Sequence, residues 1–177
     1  MFRSFLVGAM LLGLTVPAAA ELPVGAKAPK FATRAALAGK EVGFSLQAAL
    51  AKGPVVLYFY PKAFTQGCTL EANAFAENMP KFHAAGASVI GMSNDDIATL
   101  KRFSQEECRD AFPVGVASQK LIRAYDVVRM ANGKATENAS RTSYVIAQDG
   151  RITMVHSDAD YRHHVDMTLQ AVRALQD

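Results

Sequence analysis

Val55-Val56-Leu57-Tyr58-Phe59-Tyr60 is an unbroken run of apolar, β-branched and aromatic residues, and Pro61 ends it. Such a run, with no polar alternation, has no solvent face. It predicts a strand buried on both sides, hence a central one with a parallel neighbour. Parallel pairing requires a crossover, usually helical, and the flanking sequence supplies one. Thr65–Ala76 reads as a helix that can extend past Pro80 to Ala85, and Ser88–Met92 reads as a second buried strand. Ser93-Asn94-Asp95-Asp96 caps a further helix carrying Ile97, Leu100 and Phe103 on one face. Val114–Ala117 is a third short strand, followed by a helix around Leu121–Tyr125. Upstream, Phe31–Ser45 holds two short strands turned at Gly39-Lys40, and Leu46–Lys52 a short helix stopped by Gly53-Pro54. Downstream come a polar loop, Met130–Ser140, and a hairpin of Ser143–Ala147 with Arg151–His156 around Asp149-Gly150. The last segment, His163–Leu175, is an amphipathic helix whose stripe of Val165, Leu169, Val172 and Leu175 packs on the sheet. Together these predict an α/β three-layer sandwich with a mixed central sheet. Its chemistry belongs at the carboxyl ends of the parallel strands.

Half of the 177 residues are hydrophobic and 20% charged, which suits one sizeable core and excludes a disordered chain. Lys and Arg number 19 against 16 Asp and Glu, interspersed without long runs of one sign. That pattern excludes a nucleic-acid groove and a polybasic membrane anchor. Met1–Ala20 is different in kind: Arg3, an apolar run from Phe5 to Val16, then Pro17-Ala18-Ala19-Ala20. This is the order of a cleaved signal peptide with its cut after Ala20. The competing reading, a membrane anchor, is poorly served by about twelve apolar residues where a span needs roughly 20. No cysteine follows the run, so lipid attachment of the bacterial lipoprotein kind is not available. The expectation is export, to a bacterial periplasm, with residues 21–177 as a single domain. In a eukaryotic host Asn138-Ala139-Ser140 would be a glycosylation acceptor.

Only two cysteines occur, Cys68 and Cys108, too few for a disulfide-dense scaffold or a four-thiolate zinc site. Cys68 lies just past the central strand. With Thr65 as N-cap it becomes the third helical residue, where free backbone N–H groups and the helix dipole favour a thiolate. The opposing reading is an inert buried thiol. The two thiols are forty positions apart, so no Cys-x-x-Cys motif exists and thioredoxin-style dithiol exchange with other exported proteins is disfavoured.

Pro61-x-x-x-Thr65-x-x-Cys68, set on a strand–loop–helix, resembles the active-site signature of peroxiredoxins. Tyr58-Phe59-Tyr60-Pro61-Lys62-Ala63-Phe64-Thr65 is similar to the bacterioferritin-comigratory, or Q-type, subgroup, and the likeness runs from about Val24 to Ala174. Arg141, in Arg141-Thr142-Ser143-Tyr144-Val145-Ile146, falls where the family has an arginine before a late strand. Gln66 departs from the usual proline, which loosens the loop but removes no catalytic group. The resemblance implies a thioredoxin-like fold and a thiol-dependent peroxidase that reduces hydrogen peroxide and organic hydroperoxides through a Cys68 thiolate/sulfenate cycle. In it Arg141 supplies guanidinium donors, Thr65 a hydroxyl, the Gly67–Cys68 backbone its N–H groups, and Pro61 a shield from water.

Cys108 is the candidate resolving thiol. Some Q-type relatives place one five residues after the reactive cysteine, but Asn73 stands there; others carry it on the following helix. Eleven residues at about 100° bring Cys108 within about 20° of Ile97 on that helix, and bridging to Cys68 requires local unwinding. A one-cysteine cycle is the alternative for recycling. The alternative for the whole chain is a catalytically silent thioredoxin-like domain with a structural Cys68–Cys108 disulfide. The expected partners are a hydroperoxide and a thiol reductant (a thioredoxin-like protein or a small thiol), with the chain a monomer or weak dimer. No cofactor or metal is called for. His156, Asp158, Asp160, His163 and His164 match no metal-ligand spacing and read as a solvated loop and helix start. Phe64, Tyr58 and Tyr60 either line an apolar pocket for organic hydroperoxides or are simply core.

Overall fold

The computed structural model describes residues 21–176; the leader read in residues 1–20 lies outside the described residues. Ala32–Leu37 (β1) and Lys40–Ser45 (β2) form an antiparallel hairpin. Its turn residues Ala38 and Gly39 both have left-handed φ, 50° and 70°, as a two-residue hairpin requires. Ser45 caps Leu46–Leu50 (α1). Val55–Phe59 (β3) is buried at every residue. It pairs in parallel with Ser88–Ser93 (β4) and antiparallel with Thr142–Ile146 (β8), so it is internal as the apolar run demands. Val114–Val116 (β5) continues the parallel part on β4, and Ile152–Ser157 (β9) closes the hairpin with β8. The result is a mixed sheet of seven strands in the order β2-β1-β5-β4-β3-β8-β9.

Alternate residues of β3 feed two cores. Val56, Tyr58 and the following Tyr60 meet Phe75 and Phe82 of Gln66–Ala84 (α2), Phe103 of Ile97–Glu106 (α3) and Val165 of His164–Arg173 (α5). Val55, Leu57 and Phe59 meet α1 and Leu121 and Ile122 of Gln119–Ala124 (α4) on the other face. Tyr58 stacks on Phe75 with ring centroids 4.4 Å apart. That ring fits only because β4 is bare at Gly91, where a Cβ would sit 2.7 Å from the phenol.

Two segments differ from the sequence expectation. Met130–Ser140 is not a loop: Val128–Ala131 (β6) and Lys134–Ala139 (β7) form a separate two-stranded ribbon. Its turn, Asn132-Gly133 with φ of 51° and 72°, is a strong hairpin signal. The flanking residues are mostly exposed and polar, so no alternation marked them as strands. The helix carrying Ile97 ends at Glu106, leaving Cys108 beyond it rather than on its face. Arg109 and Asp110, at φ of 51° and 59°, turn the chain there in a conformation a helix cannot contain.

Candidate active site

Tyr60 still donates its N–H to Met92 O at 3.0 Å, but Pro61 has none to give, so the backbone leaves the sheet. The loop that follows is tied at each step. Ala63 N–H and the Ser93 hydroxyl both donate to Asp95 Oδ2, each at 2.8 Å. Phe64 takes a left-handed φ of 63°, a cost of about 1 kcal/mol or more. Its ring is held edge-on to Phe103 at 5.2 Å with the Arg102 guanidinium 5.1 Å above it. Thr65 is the N-cap residue of α2, yet its hydroxyl donates to Lys62 O at 2.9 Å and caps nothing. The first-turn N–H groups of α2 are therefore claimed by no side chain. Cys68 is the third residue of that turn and 1% exposed.

Arg141 enters from the residue just before β8, only 8% exposed, with every guanidinium nitrogen engaged. Nη2 donates to Cys68 Sγ at 3.5 Å, Nε to Ala159 O at 3.0 Å, and Nη1 to Glu71 Oε2. Gly67 makes this approach possible, since a Cβ there would lie 3.0 Å from Nη2. Glu71 is fully buried, and burial pushes its carboxyl up to about 8 against the downward pull of Arg141. Burial alone would lower the Arg141 guanidinium; the Glu71 carboxylate and the Cys68 sulfur more than offset this and raise it.

Behind this pair lies a group that the sequence places wrongly. His164 is fully buried, not solvated. Its Nε2 lies 3.1 Å from Asp158 O, which can only accept, so Nε2 carries the proton and Nδ1 accepts from Ser143 Oγ at 2.8 Å. Nδ1 also lies 3.7 Å from Glu71 Oε1, an oxygen with no hydrogen-bond partner. Burial lowers His164 to about 4. The signal was available: His164 adjoins Val165 and precedes Thr168 by one turn, and all three lie on the buried face of α5. Among the described residues no group of three or more His, Cys, Asp or Glu is arranged to hold a metal ion.

A cleft of about 710 Å³ opens above the sulfur, with Pro61, Thr65, Cys68 and Arg141 at its inner end and Arg129 and Met130 of the ribbon at its wall. The structure thus brings four of the five candidate residues to one place. Tyr58 and Tyr60 are core residues that do not reach the cleft, and Phe64 lies outside its wall. Cys108 is fully buried in the same apolar cluster as Cys68, and both thiols are free. Burial pushes the Cys108 thiol well above its usual range. Its turn is docked along α2: Asn73 Nδ2 donates to Glu107 Oε2 at 3.1 Å, and Arg109 pairs with Glu77 at 3.2 Å. Asn73 is five residues beyond Cys68, a rise of about 7.5 Å along the helix.

The model of the AhpC/TSA family matches residues 24–155. The chain belongs to the AhpC/TSA family. Peroxiredoxin Bcp of Xanthomonas campestris pv. campestris is 32% identical over 123 residues, 68% of this chain and 76% of that one. Among solved structures, peroxidoxin BcpB from Mycobacterium tuberculosis aligns with a TM-score of 0.77 at 30% identity, over 87% of this chain and 98% of that one. The Xanthomonas campestris bacterioferritin comigratory protein, whose structures concern alkyl peroxide reduction, aligns with a TM-score of 0.71 at 30% identity, over 81% and 92%. As an AhpC/TSA member of this peroxiredoxin group, the chain has a thioredoxin-like fold and is a thiol-dependent peroxidase acting on peroxides with a thiol reductant.

Proposed function

We propose that Cys68 is the thiol that attacks the peroxide, with Arg141, Thr65, Pro61 and the first turn of α2 as its surroundings. One observation carries this reading: Arg141 Nη2 donates to the Cys68 sulfur at 3.5 Å, at the inner end of an open cleft. The thiolate sulfur bonds to the terminal oxygen of ROOH, the O–O bond breaks, and its electron pair leaves with RO⁻, which takes a proton to become ROH. Negative charge moves from sulfur to the departing oxygen, so donors fixed along that line stabilise the transition state more than the ground state. Arg141 qualifies because Glu71 and Ala159 O hold its fork in place before substrate arrives. Thr65 meets the substrate as an acceptor, since its own proton is committed to Lys62 O. Pro61 contributes an apolar wall with no N–H.

The product, Cys68 sulfenic acid, is recycled by Cys108: its sulfur attacks the sulfenate, a disulfide forms and water leaves. This needs the turn after α3 to open. The consecutive left-handed residues Arg109 and Asp110 support an opening confined to that turn. An external thiol, either a thioredoxin-like protein or a small thiol, then reduces the disulfide. The substrates include organic hydroperoxides as well as hydrogen peroxide, a reading supported by the size of the cleft and by the alkyl peroxide activity of the Xanthomonas protein. The working unit is residues 21–177, a single domain acting as a monomer or weak dimer after export to the periplasm and removal of the leader.

The test is peroxide consumption by the reduced protein with a regenerating dithiol. The wild type turns over and Cys68→Ser does not; turnover retained by Cys68→Ser would overturn the assignment.

A further inference from the structure

We propose that the β6–β7 ribbon builds a subsite for the acidic group of an anionic organic hydroperoxide, with Arg129 and Lys62 as its cations and Met130 as an apolar wall. The inference rests on the peroxidase reading of Cys68 and specifies which substrates that site selects. Hydrogen peroxide leaves most of a cleft of about 710 Å³ unused, since one water occupies about 30 Å³. The remaining space is not neutral. Lys62 lines it from the loop after β3 and Arg129 from the ribbon, against one carboxylate, Asp158. Asp158 Oδ1 already accepts the Asp160 N–H at 2.9 Å. Arg141 is fixed beside the sulfur by Cys68, Glu71 and Ala159 O, so its remaining N–H groups serve the reacting oxygens and not a distant acid.

Arg129 and Lys62 are uncommitted. Arg34, Arg102, Arg109, Arg151 and Arg162 each hold a carboxylate. Arg123, Arg129 and Arg173 hold none among the described residues, and of these three only Arg129 lines the cleft. Neither the Lys62 ammonium nor the Arg129 guanidinium makes a hydrogen bond to any described residue.

The ribbon's geometry is the second observation. Consecutive strand residues point to opposite faces, yet Arg129 and Met130 both line the cleft. The pairing of β6 with β7 slips between Val128 and Met130. Arg129 alone stands opposite three residues of β7, 136–138, so the ladder is broken where Arg129 sits. A cation and an apolar residue, Arg129 and Met130 at 59% exposure, thus stand side by side at the cleft wall. The pair fits a substrate with hydrocarbon between its acid and its peroxide, the peroxide reaching Cys68 while the acid stays outside.

The probes are cumene hydroperoxide and its para-carboxylate derivative, which share a skeleton and differ in charge. In the full mature protein the ratio of kcat/KM, acid over neutral, is expected to be about fivefold or more at low salt and to fall as salt screens the cations. R129Q lowers that ratio about fivefold and K62Q moves it the same way. A wild-type ratio at or below one, or a ratio unchanged in R129Q, overturns the subsite. Binding of 4-isopropylbenzoate to the Cys68→Ser protein, followed by calorimetry, tests the subsite without chemistry: it should weaken in the added R129Q background, and equal binding refutes it. Failure of the wild type to consume either hydroperoxide would instead count against the peroxidase reading, leaving the benzoate result to decide the subsite.

Discussion

Arg141 shows how much depends on a side chain having all its donors placed. One edge of its fork meets the sulfur, the opposite nitrogen meets Glu71, and Nε meets Ala159 O. A lysine keeps the charge and loses that fixed geometry. Arg141→Lys is therefore expected to lower kcat/KM for hydrogen peroxide by about 10²-fold, read in a competition or stopped-flow assay, with the fold retained by circular dichroism. A loss under about threefold would mean that charge alone suffices. At this scale the sequence is uneven. Pro61, Thr65, Gly67 and Cys68 were legible because a short local spacing on one strand–loop–helix carries them. Glu71 was not, and His164 was marked only by its place beside Val165 and one turn before Thr168. A glutamate one turn into a helix, and a histidine in a run of polar residues, look solvated until α2, β8 and α5 pack over them.

Elements decide whether the second thiol can take part. The turn after α3 is fastened to α2 by Asn73–Glu107 and Arg109–Glu77, and Cys108 sits between those fastenings. The Arg109–Glu77 pair is exposed and contributes little. The half-buried Asn73–Glu107 bond, with a charged acceptor, is the one that resists opening. Asn73→Ala should then speed the step from Cys68 sulfenate to disulfide by about threefold or more, measured as thiols remaining after a rapid quench. An unchanged rate would mean that the turn does not open there. The buried strands β3, β4 and β5 announced themselves because burial demands apolar residues. The β6–β7 ribbon did not, since a strand pair lying mostly in solvent needs only a turn, and Asn132-Gly133 was its one strong mark.

The molecule as a whole stores its site in buried ionisable groups, and its stability must follow pH accordingly. His164, lowered from 6.5 to about 4, stays neutral in the fold while the unfolded chain takes up a proton, so stability is lost as pH falls from about 6.5 through 4. Glu71, raised from 4.5 to about 8, does the reverse: the fold keeps a proton that the unfolded chain has released, so stability falls as pH rises towards 8. Between pH 6.5 and 8 only the Glu71 effect operates of these two. Urea unfolding across that window should show a declining stability in the wild type and a flatter line in Glu71→Gln; parallel lines would contradict the buried-carboxyl account. Above these effects stands the claim that Cys68 cleaves the O–O bond and Cys108 resolves the product. Intact-mass analysis of the reduced protein, before and after one equivalent of hydrogen peroxide, tests it most directly. The account predicts loss of two hydrogens in the wild type, with Cys68 and Cys108 joined in one peptide, and gain of a single oxygen on Cys68 in Cys108→Ser. An unchanged mass in both proteins, or oxygen gained only at methionines, would contradict it.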